Sequence, residues 1–238
     1  MDDHLIIEKL IHFGLTRQEA SIYTTLVKYN ELTGYEISKK TGISRSNAYS
    51  CLGSLVDKGA AYLIESDVTR YTAVDIDEFC SNKIRKLTLE HKYLVENMPK
   101  TLVIEEGYIT IKTDEHILNK IHNIFEQAEK RVYVSMSDVY LDLIMDDLKA
   151  LADRGIQINI ITNKEVAFDG AKVYISEDAN NQIGIITDSV KVLTGEYGLG
   201  SDSTCLYSGQ RNFVRVFKDS LSNEIKLIQM KKGDNNIE

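Results

Sequence analysis

Asp188 and Gly195 lie in the stretch NNQIGIITDSVKVLTGEYG, residues 180–198, with the spacing D-x6-G that closes a phosphodiesterase motif. The opening half of that motif, H-x-K, would put histidine at 181 and lysine at 183, where the chain carries Asn181 and Ile183. The chemistry needs both, a histidine nucleophile that is transiently phosphorylated and a lysine that steadies the phosphate charge. The five histidines are followed two positions later by Ile6, Gly14, Tyr93, Leu118 and Ile124, so the chain contains no H-x-K. A dimer pooling one motif per subunit would still lack its nucleophile. Asp188 and Gly195 then read as a turn residue and a glycine in a hairpin between strands 183–187 and 190–194, since TDS makes a good turn. The alternative is that Asp188 survives as a ligand contact.

Other reactive patterns are scarce. The sequence has no G-x-x-x-x-G-K-[ST] and no H-E-x-x-H, and the run GEYGLG at 195–200 has Ser203 where a dinucleotide fingerprint needs its third glycine. Loops at strand ends are where ligands bind, so Glu196 and Tyr197 join Asp188 as candidate ligand-binding residues. His116 and His122 are six apart, not the i, i+4 spacing of a helical metal pair. Cys51, Cys80 and Cys205 are far apart and unpatterned, which excludes a C-x-x-C site and points to a reducing compartment. No catalytic residue, metal or cofactor is expected. No apolar run approaches the roughly 18 residues of a membrane span, and the opening MDDHLIIEKL is acidic rather than signal-like. A cytoplasmic protein with no membrane partner is the expectation.

The elements that would carry a function are clearest in residues 1–75. A first helix over 4–13 stops at Gly14. Thr16 with Glu19, and then Thr33 with Glu36, form T-x-x-E capping boxes that open the second and third helices. Gly42 ends the third helix, and Ser44 caps a fourth over 45–58. Ala48, Leu52, Leu55 and Val56 share one face of that fourth helix, with Ser46, Ser50, Gly53 and Asp57 opposite. AAYLIESDVTRYTAV then reads as strand, turn, strand, which completes the order of a winged helix-turn-helix.

A helix of the fourth helix's size fits the DNA major groove. Ser46, Asn47 and Ser50 suit base edges, Arg45 a guanine or phosphate, and Tyr49 a base or phosphate contact. Ser44 lies at the same helix start, and Lys39, Lys40, Lys58 and the wing's Arg70 are placed to hold phosphates. The net charge of −8 argues against bulk attraction to nucleic acid. Residues 36–58 carry four cations against two anions, a mildly basic face on an acidic body. Weak non-specific binding, a shallow salt dependence and a need for dimerisation follow.

From 76 to 104 the chain reads as a helical linker. Cys80, Ile84, Leu87, His91, Leu94 and Met98 follow a 4, 3, 4, 3, 4 spacing, a short heptad seam suited to dimerisation, the alternative being a helix packed on its own domain; it ends at Pro99, the chain's one proline. From 105 to 238 strands alternate with helices, suggesting a mixed or mostly parallel sheet. Strands are expected at 107–112, 131–136, 156–162, 172–176, 183–187, 190–195 and 204–208, helices at 115–130, 138–153 and 210–230, and a disordered tail at KKGDNNIE.

The stretch LIHFGLTRQEASIYTTLVKYNELTGYEISKKTGISRSNAYSCLGSLVDKGA, followed by TRYTAVDIDEF, resembles the DNA-binding domain of TrmB-type transcriptional regulators. Leu15, Thr16, Glu19, Ala20, Tyr23, Arg45, Ser46, Tyr49, Leu52, Leu55, Lys58, Gly59, Arg70 and Tyr71 fall on that family's pattern. The resemblance covers the first third of the chain. It implies a helical linker that dimerises and then a phospholipase D-like domain, here without the catalytic motif; the longer members' sugar-binding domain has no counterpart, which puts a sugar effector in doubt. The expected fold is therefore α+β and multi-domain: winged helix-turn-helix, coiled-coil-like linker, α/β phospholipase D-like domain. The expected function is a homodimeric, sequence-specific binder of double-stranded DNA that regulates transcription, with a small-molecule effector as a candidate partner of the last domain. The alternatives are a phosphodiesterase or nuclease of phospholipase D type, and a winged-helix adaptor between proteins.

Overall fold

The computed structural model describes residues 3–99, 107–176 and 181–234. Linker residues 100–104 and the last four residues of the expected tail lie outside the described residues. The chain divides into two compact units, Met1–Thr101 and Leu102–Glu238.

In the first unit the helices are α1 Asp3–His12, α2 Arg17–Tyr29, α3 Gly34–Thr41 and α4 Arg45–Asp57. Both capping boxes form. The Thr16 hydroxyl accepts the Glu19 amide at 3.2 Å while the Glu19 carboxylate accepts the Thr16 amide at 2.6 Å; Thr33 and Glu36 do the same at 3.3 and 2.8 Å. Each such cap contributes about 1 kcal/mol and fixes where its helix begins. Gly42 closes α3 with φ 73°, a left-handed conformation that glycine adopts without steric cost. The wing is an antiparallel hairpin, β1 Ala61–Ile64 on β2 Arg70–Ala73. Leu32 and Tyr71 exchange backbone hydrogen bonds of 3.0 and 2.8 Å, tying the α2–α3 turn to the hairpin.

The core of this unit gathers Ile22, Leu26, Ile37, Ala48, Leu52 and Leu55, all fully buried. Helix α5, Ile76–Asn97, starts under a cap by Asp75 and buries Phe79 in the same core, beside Tyr23 and Phe13. Burial pushes the Tyr23 phenol up to about 12, so its neutral hydroxyl donates to the Val74 carbonyl at 2.8 Å. Met98 leaves the helix at φ −68°, ψ 138°, the extended conformation that a following proline ring imposes.

In the second unit the elements are β3 Ile109–Lys112, α6 Asp114–Glu126, β4 Arg131–Ser135, α7 Asp138–Leu141, α8 Met145–Asp153, β5 Gln157–Thr162, β6 Ala171–Ile175, β7 Gln182–Thr187, β8 Lys191–Glu196, β9 Thr204–Ser208 and α9 Arg211–Asp234. The sheet order is β3-β9-β8-β7-β4-β5-β6. It is mixed but not mostly parallel: β4–β5 and β5–β6 run parallel, and the other neighbours are antiparallel. Short hairpin turns from β7 through β8, which the sequence signalled at TDS, require that direction. Alternation along the strands covers both faces. Val132, Val134, Ile158, Ile160, Ile185 and Leu193 face α6–α8; Tyr133, Ile161, Ile186 and Val192 face α9.

Two helices differ from expectation. The one expected over 138–153 is interrupted by a 3-10 turn at Asp142–Ile144, where Ile144 sits at φ −119°, ψ 8°. The last helix runs on to Asp234 rather than fraying at Lys231, with Leu221 and Ile228 buried against the sheet.

Candidate nucleic-acid interface

Helix α4 presents two different sides. Ala48, Leu52 and Leu55 are 0% exposed, whereas Arg45, Ser46, Asn47, Tyr49 and Ser50 all face solvent. The side chains at the amino-terminal turns are therefore short hydrogen-bonding groups, one guanidinium and one phenol, on a helix held rigidly from behind. Ser44 is spent locally, its hydroxyl accepting the Asn47 amide at 3.4 Å as the helix cap. The Tyr49 ring lies against the start of α3: a Cβ built on Gly34 would come within 2.5 Å of its Cε1. That glycine lets the ring lie flat beside the backbone while half of the residue stays exposed.

Two further tyrosines complete this face. The Lys40 ammonium lies 3.7 Å from the centroid of the Tyr29 ring, and the Arg45 guanidinium 4.4 Å from that of Tyr35. Such cation–π contacts hold long side chains at about 0.5–1 kcal/mol when exposed. The helix-turn-helix spacing gave no reason to single out Tyr29 or Tyr35. The usable signal was a cation ten or eleven positions after a tyrosine, across each interhelical turn.

Lys58, expected at a phosphate, is engaged within the protein. Its ammonium donates to the Glu19 carboxylate at 2.6 Å and to the Gly14 carbonyl at 3.0 Å, so it ties the end of α4 to the α1–α2 turn. Burial raises the Glu19 pKa, but hydrogen bonds from Lys58, Ser54 and the Thr16 amide outweigh it and hold the carboxyl below its ordinary value. Arg70 is half-buried on β2 beside Glu36, whose carboxyl is lowered chiefly by the Thr33 amide and hydroxyl and further by Arg70 and Lys40. Lys39, Lys40 and Arg45 remain the solvent-facing cations of the α3–α4 face.

On α5, Ile84, Leu87, His91 and Leu94 are exposed along the expected seam. Its two ends differ. Cys80 is partly buried against the core below, and Met98 lies beyond the helix.

The candidate ligand residues of the second unit are not brought together. Asp188 and Ser189 take φ 52° and 59°, the pair of left-handed residues of a type I′ turn. The Asp188 carboxylate accepts the amides of Glu129, Lys130 and Arg131 at 2.9, 2.7 and 2.9 Å, pinning the start of β4. Burial opposes ionisation there, and those three donors more than offset it. Tyr197 is buried against Tyr140, ring centroids 5.1 Å apart, on the α6–α8 side. Glu196 instead lines a groove of about 510 Å³ with Gln182, Phe217 and Glu224 of the α9 side. Gly198 and Gly200 donate their amides to Asp114 at 2.8 and 2.9 Å, so an aspartate missed in the sequence organises the glycine loop. At the motif positions, Asn181 accepts the Tyr140 hydroxyl at 3.3 Å and Ile183 is a core residue.

Two family models match the chain. Residues 10–77 match the sugar-specific transcriptional regulator TrmB, and residues 107–199 match the amino-terminal subdomain of the TrmB EBD. Both halves point to one family. The chain belongs to the TrmB-type transcriptional regulators. Among curated relatives, the uncharacterized protein YrhO of Bacillus subtilis is 26% identical over 240 residues, spanning 95% of this chain and 86% of that protein. The HTH-type sugar sensing transcriptional regulator TrmBL1 of Pyrococcus furiosus is 23% identical over 210 residues, 86% of this chain and 59% of that protein. The solved structure of TrmBL2, described as an archaeal chromatin protein with a novel mode of DNA binding, aligns at TM-score 0.45 and 18% identity over 94% of this chain and 98% of that one. No helix among the described residues of this TrmB-type chain is long and apolar enough to cross a membrane.

Proposed function

We propose that this TrmB-type regulator binds duplex DNA sequence-specifically as a homodimer and that its α/β unit holds a small effector. One observation carries the DNA reading: the amino-terminal turns of α4 expose Arg45, Ser46, Asn47, Tyr49 and Ser50 while the opposite side of the same helix is fully buried. A rigid helix with short donors and acceptors at its leading end is the arrangement that reads base edges in a major groove. In this reading Lys39, Lys40 and Arg70 hold phosphates, and the exposed Ile84, Leu87 and Leu94 of α5 pair two chains. The family models of the TrmB regulators and the description of TrmBL1 as an HTH-type sugar sensing transcriptional regulator support the same assignment for this chain.

Selection from a random duplex pool tests it. The expected product is an enriched motif with two-fold symmetry, and Arg45→Ala lowers affinity for it by about 1–3 kcal/mol while relaxing one position of the motif. No enrichment, or a motif that Arg45→Ala and Asn47→Ala both leave unchanged, defeats the reading and favours a protein-binding winged helix.

A further inference from the structure

We infer that the second unit carries a binding site for the phosphate group of a small ligand, in the cleft between the β7–β8 turn and the first two turns of α9. This site is separate from the DNA face and does not depend on it. The cleft has a volume of about 600 Å³ and draws Lys191 from β8 and Arg211, Arg215 and Lys218 from α9. Positions 211, 215 and 218 follow i, i+4, i+7 and so share one helix face. No carboxylate lines the cleft, and none of the four cations is in an ion pair among the described residues. In a chain with 36 acidic and 28 basic residues, four converging cations without an acid are a concentration of like charge that an anion would relieve.

Three details point to a built site rather than a basic patch. The Ser189 hydroxyl, on the cleft wall, is buried without a hydrogen-bond partner. Buried hydroxyls are ordinarily satisfied, so this unpartnered one is a donor that a change of its side-chain rotamer would offer to a ligand oxygen in the cleft. A Cβ on Gly209 would fall 2.9 Å from the Lys191 ammonium and 3.4 Å from the Val190 carbonyl, so the glycine leaves room for that ammonium to lie against the floor. Lys120, which does not line the cleft and stacks 4.0 Å over the Tyr207 ring, has its pKa lowered by burial first and by Lys191 second, so the charge of Lys191 is felt beyond the cleft. The positive end of the α9 dipole adds to the same field.

Two arginines favour phosphate over a simple halide, since the guanidinium fork binds tetrahedral oxyanions in bidentate fashion. The concave shape, of the volume typical for small ligands at about 300–1,000 Å³, and the walls of Val190 and Val214 favour a compact phosphorylated molecule over a duplex backbone.

The test is calorimetric titration of the full chain at physiological ionic strength with inorganic phosphate, glucose 6-phosphate, glucose and a short duplex DNA. Saturable binding of glucose 6-phosphate without binding of glucose is expected; equal binding of inorganic phosphate would make the free anion the ligand. In the Arg211→Gln/Arg215→Gln double variant this affinity should fall at least about tenfold, with the thermal midpoint of the free protein unchanged. Arg45→Ala should leave it intact, which separates this site from the DNA reading. The proposal is overturned if neither phosphate compound binds, if the double variant binds as the parent does, or if that variant loses affinity for duplex DNA alone.

Discussion

Lys58 and Asp188 are each engaged within the protein, Lys58 by the Glu19 carboxylate and the Gly14 carbonyl, Asp188 by three backbone amides. Lys58 was a candidate phosphate contact and Asp188, read first as a turn residue, a candidate ligand contact. For Lys58, spacing placed it on the regulator pattern, but nothing in a linear pattern reveals that Glu19, 39 residues earlier, is buried and needs a cation. Lys58→Met should cost about 1–3 kcal/mol in urea unfolding at neutral pH, because Glu19 is left buried without its partner. The sign of the pH dependence follows from the lowered Glu19 pKa. Its contribution is fully present above the ordinary value of 4.5 and is lost as pH falls through the depressed folded value. The parent should therefore lose stability on acidification over that window, and Lys58→Met should show a flatter acid limb. An identical limb in both would remove the ion pair from the account. Asp188, by contrast, was legible: T-D-S between two apolar runs announces a turn. Its three amide partners at 129–131 were not, because they lie 57 to 59 residues earlier, at the entry to β4.

At the scale of elements, the helices of the first unit were legible to within a residue or two, because Thr16, Thr33, Ser44 and Gly42 act locally and mark the ends themselves. The sheet was less so. Periodicity locates strands, but direction depends on whether a connection is a tight turn or a crossover, and β8 and β9 are joined by a short loop with one 3-10 turn, Gly200–Asp202, and no α-helix. Gly195 shows how tightly those two strands pack: a Cβ there would lie 2.2 Å from the Thr204 carbonyl oxygen and 2.7 Å from the Cys205 Cα. Both are backbone atoms that cannot swing aside. Gly195→Ala should thus destabilise the second unit by at least about 2 kcal/mol, read as a lowered denaturation midpoint followed by the fluorescence of its tyrosines. A midpoint within about 0.5 kcal/mol of the parent would mean the strand pair opens more easily than this contact implies.

For the whole molecule, the acidic total and the small set of cations on α3, α4 and the wing make a joint prediction. With Lys39, Lys40 and Arg70 on phosphates in each of two chains, log K for the selected operator should fall against log salt with a slope of about −5. A slope beyond about −9 would bring further cations, Lys58 among them, onto the DNA. Pairing through α5 is testable by itself. Leu87→Glu with Leu94→Glu, at exposed positions that the core does not need, should leave a folded monomer by sedimentation and abolish binding to a two-fold site. A double variant that still sediments as a dimer would move the pairing elsewhere. The helix and its end at Pro99 were readable in the sequence, whereas the burial of Cys80, drawn inward by the core, was not.

Phe79 roots α5 in the same core that supports α4, so the helix acts as a rigid handle on the wing and the reading helix alike. Its 22 residues make a rod about 33 Å long. In the proposed dimer, a change of about 10° in the angle between two such rods pivoting at one end would shift their far ends relative to each other by about 6 Å, nearly two base-pair steps. The gauge between the two halves of an operator would then be set like a pair of dividers, by the angle of the legs.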